Sequence, residues 1–163
     1  MRYRRTSQPG GSFFFTVVTA CRRPVFTSEI AVALLRDAFR AVRQKRPFAI
    51  DAIVILPDHL HCIWTLPEND ADFMTRWRLI KTRFSKRCDL ENVWQQRYWE
   101  HVLRDERDFA KHVDYIHYNP VKHGLVSKAI DWPYSSFHRY VKQGWCTADW
   151  GGDGVDVAGV GRE

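Results

Sequence analysis

Cysteine is scarce and badly placed for any paired motif. Cys21, Cys62, Cys88 and Cys146 lie far apart, so neither a CxxC zinc site nor a disulfide framework is indicated, and reduced thiols in a cytosol are the simplest expectation. Long apolar runs are also missing: nothing approaches the roughly 20 apolar residues of a membrane span, so no membrane partner is expected. Met1-Arg2-Tyr3-Arg4-Arg5, the apolar stretch from Phe13 to Ala20 and then Cys21 imitate a lipoprotein signal. That stretch is short, holds two threonines and runs directly into Arg22 and Arg23. Removing it would also delete a strand the core needs, and the signal is rejected. No internal repeat is visible.

Acidic charge is in short supply as well, with 19 Asp and Glu against 25 Lys and Arg, a net charge of +6. What is abundant is aromatic: seven Trp, six Tyr and ten Phe. Basic charge with many flat rings favours a nucleic-acid partner over an acidic small molecule. At 163 residues the chain suits one compact domain with a sizeable core.

The organising stretch is Leu56-Pro57-Asp58-His59-Leu60-His61-Cys62-Ile63-Trp64. Rich in β-branched and aromatic residues, it reads as a strand whose alternate side chains leave on opposite faces. His59 and His61 then share one face, opposite Leu60, Cys62 and Trp64, and two neutral imidazoles a strand-pitch apart can share one metal ion. Taken alone, the pair is equally well read as half-exposed histidine.

Around this stretch the chain punctuates itself clearly. A basic arm, residues 1 to 11, precedes a strand from Ser12 to Ala20. Ser28 with Glu29 starts a helix to about Lys45, with Ile30, Leu34, Phe39 and Val42 as its apolar face, and Pro47 ends it. Phe48 to Leu56 and His59 to Leu66 make a hairpin about Pro57-Asp58. From Asp72 to Cys88 a helical period places Phe73, Trp77, Ile80 and Phe84 on one seam. The other faces carry Arg76, Arg78, Lys81, Arg83, Lys86 and Arg87, with no acid between Asp72 and Asp89. Six uncompensated cations repel one another unless something anionic lies against them, which favours phosphate contact.

Val93 to Leu103 reads as a fourth strand with its lead-in loop. There Trp94, beside Arg97, is a candidate base-stacking residue and Trp99 is expected in the core. A last long helix begins at Asp105 and is stopped by Pro120, with Phe109, Val113 and Ile116 buried. Residues 1–143 are read as a single domain and 144–163 as a loosely ordered tail that Trp145 and Trp150 dock.

Within the last helix Tyr115 and Asn119 are four apart and share a face, about 40° apart in rotation. An amide oxygen can complete a metal site begun by two imidazoles, and a tyrosine one turn earlier would project toward what that metal holds. His112 lies on nearly the same side as Asn119 and is a candidate supporting group or phosphate donor. On ligand softness alone, imidazoles point to zinc.

Together, His59-Leu60-His61, the run from Val93 to Glu106 and Tyr115-Ile116-His117-Tyr118-Asn119-Pro120-Val121 carry a resemblance. His59-Leu60-His61 is similar to the His-hydrophobic-His motif of the HUH single-strand nucleases. The three motifs in order resemble the REP-associated tyrosine transposases, relatives of the smallest insertion-sequence transposases, from about residue 3 to residue 140. The resemblance implies His59 and His61 as metal ligands and Tyr115 as nucleophile, ahead of Tyr118. It implies Asn119 where insertion-sequence relatives use a glutamine, one methylene longer, as third ligand. It further implies Mg²⁺ or Mn²⁺ rather than zinc, and a substrate of single-stranded DNA carrying REP-type hairpins, cut through a 5′-phosphotyrosine. Arg4, Arg5, Lys122 and His123 join the cations above as candidate DNA contacts, from charge alone. A monomer in the cytoplasm is the expectation, although insertion-sequence relatives are dimers that exchange catalytic helices.

The order strand, helix, strand, strand, helix, strand, helix fits a ferredoxin-like α+β domain. An antiparallel sheet of four or five strands is expected, with helices mainly on one face. The same plan serves RNA-recognition modules, so a non-catalytic single-stranded nucleic-acid binder is the rival. A zinc hydrolase using His59, His61 and Asp51 or Asp58 is a third reading.

Overall fold

A computed structural model describes residues 10–152 and 155–160. Four strands, β1 (Ser12–Val18), β2 (Ala49–Ile55), β3 (His59–Thr65) and β4 (Trp99–Val102), form one antiparallel sheet in the order β2-β3-β1-β4. With helices α1 (Glu29–Lys45) and α2 (Phe73–Cys88) between strands, and α3 (Glu106–Lys122) and α4 (Phe137–Lys142) after them, this is the ferredoxin-like α+β plan. Residues Arg4 and Arg5 lie outside the described residues.

Helices pack on both faces of the sheet, not mainly on one. Every residue of β1 and β3 is buried, which one-sided packing cannot do. Phe13, Phe15, Val17, Leu60, Cys62 and Trp64 form one core with α1 and α2. Phe14, Val54 and Ile63 form a second with Phe109, Val113 and Ile116 of α3. The Trp64 and Trp77 rings stack at 4.3 Å in the first core. Since both parities of these strands are apolar or paired, each strand feeds two layers.

The helix ends follow local chemistry. Ser28 Oγ accepts from Ala31 N–H, Asp72 from Thr75 and Asp105 from Asp108, three side-chain N-caps. Helix α1 buries Val32, Leu35, Ala38, Phe39 and Val42, while Ile30 is 75% exposed. Its apolar stripe is thus rotated from the expected one. Helix α3 runs past Pro120 to Lys122. A proline near the end loses only one intrahelical bond, and the chain then turns at Gly124, whose φ of 70° suits glycine.

Two expectations fail at the sheet edge. The fourth strand is only four residues long, and Trp99 is 36% exposed rather than in the core, because β4 pairs on one side only. At the other edge, residues 132–140 cover β2: Trp132 Nε1 donates to Ile55 O at 2.9 Å, and Tyr140 Oη to Asp51 O at 2.8 Å. Trp145 and Trp150 pack on Tyr140 and Phe137 with ring centres 5.1 and 5.6 Å apart.

Candidate active site

β3 delivers His59 and His61 to the sheet face that α3 covers, with ring centres 4.9 Å apart and planes at 83°. Both imidazoles are buried, and each is held through Nδ1. His59 Nδ1 lies 2.6 Å from Asp58 Oδ1, and His61 Nδ1 lies 2.8 Å from Thr16 Oγ1, its register partner on β1. A carboxylate can only accept, so His59 donates from Nδ1 and, as a neutral ring, carries its lone pair on Nε2, the form a metal ligand needs. Burial alone would raise the Asp58 pKa. The hydrogen bond and charge of His59 and the Arg22 guanidinium, 3.3 Å away, outweigh it and hold Asp58 below its ordinary value.

Across this face lies the phenol. The Tyr115 ring centre is 5.1 Å from that of His61 and 5.9 Å from that of Phe14. Asn119, one turn further along α3, is fully buried. Lys122 Nζ sits 5.0 Å from the centre of the Tyr115 ring, and the His123 ring is 5.3 Å from that of His59. Two imidazoles, a phenol, a cation and a third imidazole from distant parts of the chain therefore meet, with the amide helix turn beside them. Tyr118 is only half-buried and has no ring contact with His59 or His61 among the described residues. A cavity of about 350 Å³ opens beside His59, lined by Arg22, Asp58, His123 and Leu125.

The donor set suits a divalent cation. His59, donating through Nδ1, presents Nε2 to a ligand, His61 stands beside it anchored to Thr16, and Asn119 is an amide on the same helix as the phenol. Asp51 cannot take part: it is buried against Thr65 at the opposite end of β3, six residues or about 20 Å along the strand from His59.

His112 belongs elsewhere. Its ring packs at 4.7 Å on Phe14, which also contacts His61 at 5.7 Å, so Phe14 stands between His112 and the histidine pair. His112 instead joins His101 of β4 and Asp108 of α3.

The basic helix is also corrected in part. Arg76 is 2% exposed, and its guanidinium is committed to both Asp70 oxygens and to the carbonyls of Arg46, Pro47 and Asp72. It braces α2 and cannot reach a phosphate. Lys81 is half-buried beside Trp94 and Tyr98, and burial lowers its pKa to about 8. Arg78, Arg83, Lys86, Arg87 and Arg97 are exposed. The α2 cations, however, lie on the helix across the sheet from Tyr115. There Lys45, Arg46, Arg83 and Lys86 line the larger cavity, about 660 Å³, between α1 and α2. Trp94 packs on Phe26 and Phe84 at 5.7 and 5.4 Å, which makes it a half-buried wedge and not an open stacking platform.

Thr16, Arg22 and His117 gave no signal in the sequence. Thr16 is chosen by strand register and Arg22 by a left-handed backbone, φ 50°. His117 donates to or accepts from Ser136 Oγ at 2.8 Å, and burial lowers its pKa to about 3.

No family model matches the chain. A REP-associated tyrosine transposase of Escherichia coli (strain K12) is 51% identical over 157 residues, covering 96% of this chain and 94% of the relative. A solved structure described as the REP-associated tyrosine transposase bound to a REP hairpin is 48% identical, with a TM-score of 0.85. It covers 100% of this chain and 98% of that one.

Proposed function

Since the chain belongs to the REP-associated tyrosine transposases, and so is a DNA-cleaving and strand-transferring enzyme, we propose that it acts on single-stranded DNA carrying REP-type hairpins. Tyr115 is the nucleophile in this proposal, and His59, His61 and Asn119 hold a divalent cation, Mg²⁺ or Mn²⁺. One observation carries it: the phenol ring of α3 and the imidazole of His61 lie 5.1 Å apart on one sheet face.

Bound there, the cation would supply charge neutralisation for a nonbridging oxygen of the scissile phosphate. The rest is the work of this chain's own residues. Asp58 and Thr16 keep the two imidazoles turned toward the phosphate, and Phe14 backs the ring of His61. The Lys122 ammonium beside the Tyr115 ring offsets negative charge that develops on the attacking oxygen. His123 and Arg22, at the mouth of the cavity, are placed to meet the backbone on either side of the cleaved bond.

In the step itself, Tyr115 Oη gives up its proton and bonds to phosphorus. The bond to the 3′ oxygen breaks, and that oxygen leaves as a 3′-hydroxyl with a proton. One phosphodiester replaces another, so the 5′-phosphotyrosine retains the bond energy, and a new 3′-hydroxyl reverses the step and joins strands without ATP.

The test is incubation of labelled single-stranded REP hairpins with the protein and Mn²⁺, followed by a denaturing gel and mass spectrometry. The expected result is a covalent adduct on Tyr115. Y115F and added EDTA should each abolish cleavage, by at least about 10³-fold for Y115F, with hairpin binding by Y115F largely kept. Undiminished cleavage by Y115F would overturn the assignment, and a binder without chemistry would give no adduct at all.

A further inference from the structure

Outside the Tyr115 site, the described residues hold a second convergence of metal-ligating side chains. His101 comes from the edge strand β4, and Asp108 and His112 from the first turns of α3. One ligand atom from each can be chosen so that all lie within 4.8 Å of one another. His101 Nε2 is 3.0 Å from Asp108 Oδ2, and His112 Nδ1 is 3.3 Å from Asp108 Oδ1. The two imidazoles lie face to face, centres 4.8 Å apart and planes at 17°, on either oxygen of one carboxylate.

We propose that His101, Asp108 and His112 form a second cation site, of zinc class, separate from the proposed catalytic ion and clamping β4 to α3. Two imidazoles with one carboxylate are the His₂-carboxylate set found on zinc, with a fourth position left for water. Zinc takes such mixed nitrogen and oxygen donors at four-coordinate sites. The side chains of His101 and Asp108 are 29% and 22% exposed while that of His112 is 8% exposed, so solvent reaches the cluster from one side.

The protonation states suit the assignment. Burial lowers the His112 pKa in spite of the Asp108 groups beside it, which keeps the ring neutral. Burial pulls Asp108 upward, but the Arg104 N–H and the hydrogen bond from His101 outweigh it, which keeps the carboxylate ionised. Those are the forms a cation binds; His112 Nδ1 now donates to the Asp108 carbonyl at 2.8 Å, so ligation through Nδ1 requires the ring proton to shift to Nε2.

Position gives the site a consequence. β4 is four residues long and pairs with β1 alone in the sheet, and this cluster ties it to α3. His112 is one turn before Tyr115 and touches Phe14, which touches both His61 and Tyr115. A clamped cluster therefore sets how α3 lies on the sheet.

The test is Zn²⁺ titration of the full chain by calorimetry, for the wild type, H101A, H59A/H61A and the triple variant. The wild type should take two equivalents, H101A and H59A/H61A one each, and the triple variant should bind at least about tenfold more weakly than H59A/H61A. Zn²⁺ should raise the melting temperature of H59A/H61A but not that of the triple variant. Equal Zn²⁺ uptake by wild type and H101A overturns the proposal. His101 is partly exposed, so that comparison decides the matter even if H59A/H61A does not fold.

Discussion

Toward α1 and α2 the central strands present Phe13, Phe15, Val17, Leu60, Cys62 and Trp64. Toward α3 the same strands present Ser12, Phe14, Thr16, His59, His61 and Thr65. Both sets are buried, yet the second carries most of the polar side chains, which pair as Thr16 with His61, Ser12 with Thr65 and Asp58 with His59. Burying polar groups costs stability unless each finds a partner, and even then yields little net gain. The apolar face thus supplies the cohesion that lets the other face hold imidazoles, a phenol and an amide in fixed positions.

That contrast can be broken from either side. W64A opens a hole in the apolar core against Trp77, Phe15, Phe39 and Phe48. It should cost about 3–5 kcal/mol, read by chemical denaturation, with cleavage and binding falling together as the fold fails. D58N, on the other face, leaves the core alone but loosens His59. Divalent-ion affinity should drop about 10- to 100-fold, measured by titration of cleavage against Mn²⁺, with stability nearly unchanged. If D58N instead unfolds the protein, the division of labour between the faces is wrong.

A smaller effect is expected at the cavity between α1 and α2. If hairpin phosphates wrap round to that face, R83A/K86A should lower the slope of log affinity against log salt by about one per lost contact. An unchanged slope would confine DNA to the α3 side.

The smallest effect concerns Asp70, which brings Arg76 into the apolar layer. The hydrogen bond from Arg76 is the first cause that lowers its pKa to about 2. A folded value below the unfolded one means that the unfolded chain takes the proton first as pH falls. The stabilisation is therefore complete above about pH 4 and is lost between about 4 and 2. D70N should lower the melting temperature at neutral pH and flatten its decline over that window, though Asp70 is a third exposed and water screens the pair.

Much of this was legible in the chain because it rests on short-range rules. Alternation put His59 and His61 together, caps and prolines marked three helices, and i,i+4 spacing put Tyr115 with Asn119. The errors share a physical cause, which is that local periodicity says nothing about what covers a surface. Ile30 fits an apolar stripe yet lies in water, Arg76 looks like a surface cation yet is sealed under Asp70, and Trp99 fell on the strand at the edge of the sheet.

By itself the sequence determined the element order, the two-imidazole face of β3 and the phenol-amide face of α3, since each depends on spacing within one element. Only the tertiary structure decided that those two faces meet, that helices cover both sides of the sheet and that the α2 cations lie across it from the phenol. It alone also brought His101 beside Asp108 and His112, His117 to Ser136 and Thr16 to His61. Each depends on register and packing between segments far apart in the chain, which are selected by how the whole core closes.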